Sequence, residues 1–200
     1  MTPDRGVIPE PDAAPQAVPD EAPMAEPTEP APPPSPVEKA LPRDLDGLFA
    51  ELRRERDRKR AGRLERAIWR EWARYDDETV NLLSGWATRA MSRKKYGVAL
   101  DLLDRVVVMA PDYAEGWNRR ATLHFMRRDY VKSLADIERT LQIEPRHFGA
   151  LAGMGTILMQ LGRKPEALEV WYRALSVNPS MTSAQKAVEK LEEELAGRGI

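Results

Sequence analysis

From about residue 45 onward, apolar residues recur three and four positions apart, the spacing of one helical face and not the alternation of a strand. Leu45, Leu48, Phe49 and Leu52 make a first short stripe; Leu64, Ile68, Trp72 and Tyr75 make a second. Asp44 or Asp46 stands where a carboxylate caps a helix start. Gly62 and the charge-only run before it predict a break near 58–62, so 43–79 reads as a degenerate helical hairpin. At the far end, "TSAQKAVEKLEEELAGRG" sets Ala184, Ala187, Val188, Leu191 and Leu195 on one face and charges opposite. That stretch predicts a capping helix over 182–197, ended by Gly197 and Gly199.

Between these segments the pattern repeats. Pro111, Pro145 and Pro179 are spaced 34 apart, each after the same phrase: a small residue (Ala99, Ser133, Ala167) and, four later, a large apolar one (Leu103, Ile137, Trp171). Upstream of each phrase lies a first helix with a small residue at Ala87, Ala121 and Gly155. The chain therefore divides into units 80–113, 114–147 and 148–181. A 34-residue helix–turn–helix unit of this pattern resembles the tetratricopeptide repeat (TPR) family, with Arg120 and His124 departing from its usual residues. The resemblance implies an all-α fold, a solenoid of stacked helical hairpins. The 46–79 hairpin would then cover the N-terminal end of the stack as a degenerate repeat, with Trp69 and Trp72 packing inward.

Composition sets the remaining zone apart. Residues 1–42 hold 13 of the 17 prolines and a net charge of −6, which predicts a disordered tail with polyproline II character. Residues 52–74 carry 10 basic and 4 acidic side chains, a local +6 within a chain of net charge −1. That excess reads either as a solvated face with Glu51 and Glu55 opposite Arg54 and Lys59, or as a phosphate-binding surface. The sequence has no cysteine, which excludes disulfides and thiolate chemistry, and no apolar run long enough for a membrane span. "VVVMAPDYAEGWNRRAT" and "DIERTLQIEPRHFGALAGMG" resemble small alphaproteobacterial TPR proteins. That likeness implies a periplasmic protein tied to envelope integrity. "MTPDRGVIPE" lacks the basic and apolar regions of a secretory signal, which points to the cytoplasm instead, and the two expectations stand side by side.

Catalysis needs converging groups, and the pattern offers none. His124 and His147 are the two histidines, one on a core helix and one bordering a turn, without H-E-x-x-H or E-x-x-H spacing. The glycines of "IEPRHFGALAGMG" follow a helix and match no phosphate loop. No enzyme activity, cofactor, metal or small-molecule substrate is expected. What the resemblance implies instead is a concave groove lined by first-helix side chains that holds a protein or peptide partner. Its register places Ser84, Thr88 and Met91 there from the first unit, and Asn118, Arg119, Thr122, Phe125 and Met126 from the second. Thr156, Met159 and Gln160 follow from the third, with Arg119 expected to meet an acid of the partner. Ser84 and Thr88 replace the lysine–asparagine clamp that binds acidic chaperone tails in this family. The competing expectations are nucleic-acid or anionic-surface binding through 53–74 and self-association.

Overall fold

A computed structural model describes residues 44–197; the proline-rich segment 1–42 lies outside the described residues. Among those residues every element is helical: α1 (Leu45–Arg54), α2 (Arg58–Trp72), α3 (Glu78–Ser92), α4 (Tyr96–Met109), α5 (Ala114–Met126), α6 (Tyr130–Ile143), α7 (Phe148–Gln160), α8 (Lys164–Val177) and α9 (Thr182–Ala196). From α3 to α9 each helix packs against the next in the chain, and α4, α6 and α8 begin 34 residues apart. Carboxylates start several of them. Asp44, Asp57 and Asp77 accept backbone N–H groups of Gly47, Arg60 and Thr79, each at 2.7 Å, supplying acceptors that the first turn lacks. The turn inside each repeat needs one left-handed residue. It falls on Lys94 (φ 57°), Arg128 (φ 61°) and Gly162 (φ 74°), again 34 apart.

Within each hairpin, small and large residues compensate. Ala87 faces the layer of Leu103, and Ala121 that of Ile137. The third repeat carries the larger Trp171, and there the partner shrinks to Gly155: a Cβ on it would lie 2.6 Å from the indole. Close packing leaves no other solution at that volume. At the C-terminal end Ala184, Val188 and Leu191 of α9 close the core over Trp171 and Ala174, with charges outward.

The N-terminal hairpin departs from the sequence expectation in two ways. The break lies at 55–57, where Glu55 accepts the N–H groups of Arg56 and Asp57 at 2.8 Å each, and Gly62 sits inside α2. The hairpin also does not cover the first repeat. Near the start of α2, Arg58 Nη2 donates to Thr182 Oγ1 (2.6 Å). One to two turns on, Glu65 accepts from Asn178 Nδ2 and Ser180 Oγ at 2.8 and 3.0 Å. Near its end, Trp69 and Trp72 pack on His147 and Phe148. Just beyond, Ala73 O accepts from Tyr113 Oη (3.0 Å), and Tyr75 Oη donates to Asp112 (2.7 Å).

These partners are the α8–α9, α6–α7 and α4–α5 turns in that order, so α2 runs along the edge of the solenoid as a strap. Fifteen residues span ~22 Å, enough to cross three layers of helices packed ~10 Å apart. Leu48, Phe49, Leu52, Leu64, Ile68 and Trp72 bury their side chains between strap and edge. The physical reason is an aromatic cluster that a simple stack lacks: Trp72 lies flat on His147, ring centres 4.0 Å apart, and Phe148 fits beside Phe49 and Trp72. The outer face of the first repeat is left bare, with Leu82, Trp86 and Val98 each about half exposed.

Candidate functional site

α5, α7 and the start of α9 enclose an open cavity of about 270 Å³ on the inner side of the repeats. Asn118, Thr122 and Phe125 form one wall, and Ala152, Gly153, Thr156 and Ile157 the other; Ile137 and Trp171 lie behind and Ser183 at one end. Every side chain lining it is uncharged. Gly153 helps to make the space: a Cβ there would come within 3.3 Å of Ile137 Cδ1. Gly149, at the edge of the cavity, lies under the Trp69 ring, where a Cβ would stand 2.5 Å from the indole.

Of the residues the register assigns to a groove, Asn118, Thr122, Phe125 and Thr156 meet at this cavity. Met126 and Gln160 are exposed, and Met91 and Met159 pack partly into the core. Thr88, Thr122 and Thr156 each donate their hydroxyl to the carbonyl four residues back, at 3.0, 2.9 and 2.8 Å. The column of threonines is thereby weakly polar rather than a set of free donors. Ser84 is buried and belongs to a different structure altogether.

That structure is a polar network under the groove. Arg119 Nη1 donates to Ser84 Oγ (2.5 Å) and Arg119 Nε to Glu115 Oε1 (2.8 Å). The acid expected for Arg119 is thus an internal one. Glu115 Oε2 accepts from Asn118 Nδ2 (2.8 Å) and faces His147 Nε2 at 3.3 Å. His147 Nδ1 accepts the N–H of Ala150 and so caps α7, which places its proton on Nε2, toward Glu115. The Nε2–H is not aimed squarely at the carboxylate, so this contact is electrostatic rather than a formed hydrogen bond.

Burial pushes the Glu115 carboxyl up, but His147 and the Arg119 charge outweigh it and hold the group below the usual carboxylate value. His147 is fully buried and is the hub joining strap, second repeat and third repeat. Sequence reading placed it beside a turn and missed the hub, because its partners are 32 and 75 positions away. A second network lies on the other side of α5. Arg120 grips Asp136 with two nitrogens (2.9 and 2.7 Å), reaches Asp104 (2.9 Å) and lies over Trp117. His124 stands 3.8 Å from Asp136, and burial pushes its imidazole below the ordinary value against that carboxylate's pull. These two histidine–carboxylate contacts form no group of three or more metal-ligating side chains among the described residues.

On the α1–α2 hairpin, Arg53, Arg54, Arg56, Arg58, Lys59, Arg66 and Arg70 are exposed. Glu51 and Glu55 pair with Arg60, at 2.7 and 2.9 Å, and not with Arg54 and Lys59 as helical spacing predicts.

Stacked 34-residue helical hairpins with an inner groove define a TPR-type solenoid. No family model matches the chain. A TPR repeat-containing protein of Rhizobium etli is 48% identical to it over 153 residues, 76% of this chain and 75% of the relative. The chain belongs to the TPR repeat family. Among solved structures, the first TPR domain of Spaghetti (RPAP3) bound to an HSP90 peptide superposes with a TM-score of 0.57. It is 19% identical, and the match covers 60% of this chain and 96% of that one. The Sgt2 TPR domain from Aspergillus fumigatus gives 0.57 at 20% identity, over 62% and 84% of the two chains.

Proposed function

We propose that the chain is a non-catalytic protein-interaction scaffold that holds a peptide or partner segment in the groove between α5 and α7. The observation that carries this reading is the open, uncharged cavity of about 270 Å³ lined by Asn118, Thr122, Phe125 and Thr156. Apolar pockets with a few polar groups bind side chains of a partner, and the similar RPAP3 domain is one bound to a peptide. An acidic chaperone tail is not the ligand this groove fits, since Ser84 and Thr88 stand at the clamp positions and Arg119 is neutralised by Glu115. The test is peptide binding by the protein and by a Thr122→Arg/Thr156→Arg variant, both side chains being at least partly accessible. Groove-bound peptides lose affinity at least about tenfold while the melting temperature holds; unchanged affinity refutes the site.

A role in cell-envelope maintenance is part of the proposal and rests on the likeness to exported alphaproteobacterial TPR proteins. Fractionation of host cells expressing the tagged gene places the protein in the periplasm if it is right and in the cytosol if it is wrong. A second reading, nucleic-acid or anionic-surface binding through 53–74, is favoured by the outward basic side chains of the strap. It requires binding that weakens steeply with salt; no binding at low salt excludes it.

A further inference from the structure

The groove does not end at the edge of the repeats. Gly149 and Ser183 at its rim also line a second open cleft of about 480 Å³ beneath α2, between Trp69 and Met181. That cleft in turn shares Arg58, Ser180 and Thr182 with a third, of about 450 Å³, which ends at Arg53 and Arg56. The three make one trough, uncharged at the repeat end and basic at the elbow of the strap. The carboxylates along it are already engaged. Glu65 accepts from Asn178 and Ser180, and Glu55 is held by Arg60 at 2.9 Å. Arg53 and Arg56 are exposed and carry no ion pair among the described residues.

From Trp69, which sits over Gly149, to Arg58 the strap advances eleven residues, ~16 Å of helix. An extended polypeptide covers that distance in about five residues, and the cavity and Arg53 and Arg56 lie beyond its two ends, so five is the least separation. We infer that the partner is an extended polypeptide carrying one large apolar side chain and, five or more residues from it, a cluster of acidic side chains. The apolar group occupies the cavity between α5 and α7, the backbone passes over Trp69, and the acids meet Arg53 and Arg56. This rests on the peptide-binding reading of the groove and adds the strap as the second half of the site. A nucleic-acid strand fits the trough poorly: it carries a phosphate at every nucleotide, while cations stand at one end only and Glu65 lies in the path.

A random peptide library displayed on phage, panned against the full chain, tests this, with enriched peptides remade for anisotropy titrations. Enriched sequences pair a large apolar residue with Asp or Glu five or more positions away. Arg53→Glu/Arg56→Glu weakens them about tenfold, and replacing their acids with Asn removes that sensitivity. Both arginines are exposed, so the variant keeps its fold, which a thermal melt verifies. Peptides that lack acids and ignore Arg53→Glu/Arg56→Glu, but are lost with Thr122→Arg/Thr156→Arg, overturn this inference and leave the groove reading standing. Enrichment of nothing, or of peptides indifferent to both variants, overturns both. An oligothymidylate that displaces the peptides and binds more tightly than they do also overturns it.

Discussion

Two amphipathic segments flank the three repeats, and they end up in different places. α9 continues the stack, laying Ala184, Val188 and Leu191 over the third repeat. The α1–α2 hairpin leaves it, crosses the turns and ties the repeats together along one edge. Their apolar stripes have the same helical period, so periodicity does not distinguish them. The partners do. α9 meets the apolar face of α8, whereas the tryptophans of α2 pack on His147 and Phe148 at the α6–α7 junction. The cost falls on the first repeat, whose outer face keeps Trp86 and Val98 in solvent.

The sharpest way to break the contrast is Trp72→Ala. Deleting a buried tryptophan costs ~3–5 kcal/mol, so denaturant unfolding shifts to much lower concentration, with the strap released first. A loss below ~1 kcal/mol means that the strap is not an integral part of the fold.

Next come the two glycines that fit an indole. A Cβ at Gly149 meets Trp69 of the strap at 2.5 Å, and one at Gly155 meets Trp171 of the stack at 2.6 Å. Both Gly→Ala variants lose ~1–3 kcal/mol by overpacking. Adding Trp69→Leu restores the first and not the second. Rescue of both or neither refutes the separation.

Acid sharpens the comparison further. His124 binds its proton at lower pH folded than unfolded, so the unfolded state holds more protons below about pH 6.5 and stability falls as pH drops through that range. Glu115, held below the usual carboxylate value, adds stability above about pH 4.3 that is lost as pH falls through its lower folded value. Melting temperatures from pH 8 to 3 therefore decline in two stages, and Glu115→Gln shrinks the lower one, to which Asp129 and Glu166 also contribute. A flat profile down to pH 5 contradicts the first stage. The smallest effect is at the bare end. Trp86→Glu changes stability by no more than ~0.5 kcal/mol, unlike Trp72→Ala. If sedimentation shows that the parent chain associates and this variant does not, the bare face is an interface between copies.

The repeats were legible because their signal is periodic and local. Pro111, Pro145 and Pro179, and the Ala87, Ala121 and Gly155 column, mark hairpins whose contacts lie within one or two units. The positions of Asn118, Thr122, Phe125 and Thr156, which line one cavity, came with that register. What stayed hidden depends on distant pairs. Glu115 and Arg119 are an i, i+4 pair that helical spacing offers, but nothing near Ser84 or His147 in the sequence indicates that they would join it, and a short range of apolar spacings does not reveal which surface a hairpin meets. Gly149 and "RHF" did carry a trace of the answer: a glycine at a helix start, after a histidine and an aromatic residue, marks a place where another ring comes close.

The position of the strap is the central claim, and the cysteine-free sequence makes it directly measurable. In an Arg58→Cys/Thr182→Cys variant, a short bismaleimide links the two positions within the monomer, because their native side chains touch at 2.6 Å. In Arg66→Cys/Trp86→Cys it does not, because the strap lies off the first repeat. Crosslinking of the second pair without the first would place the hairpin on the end of the stack and contradict the account.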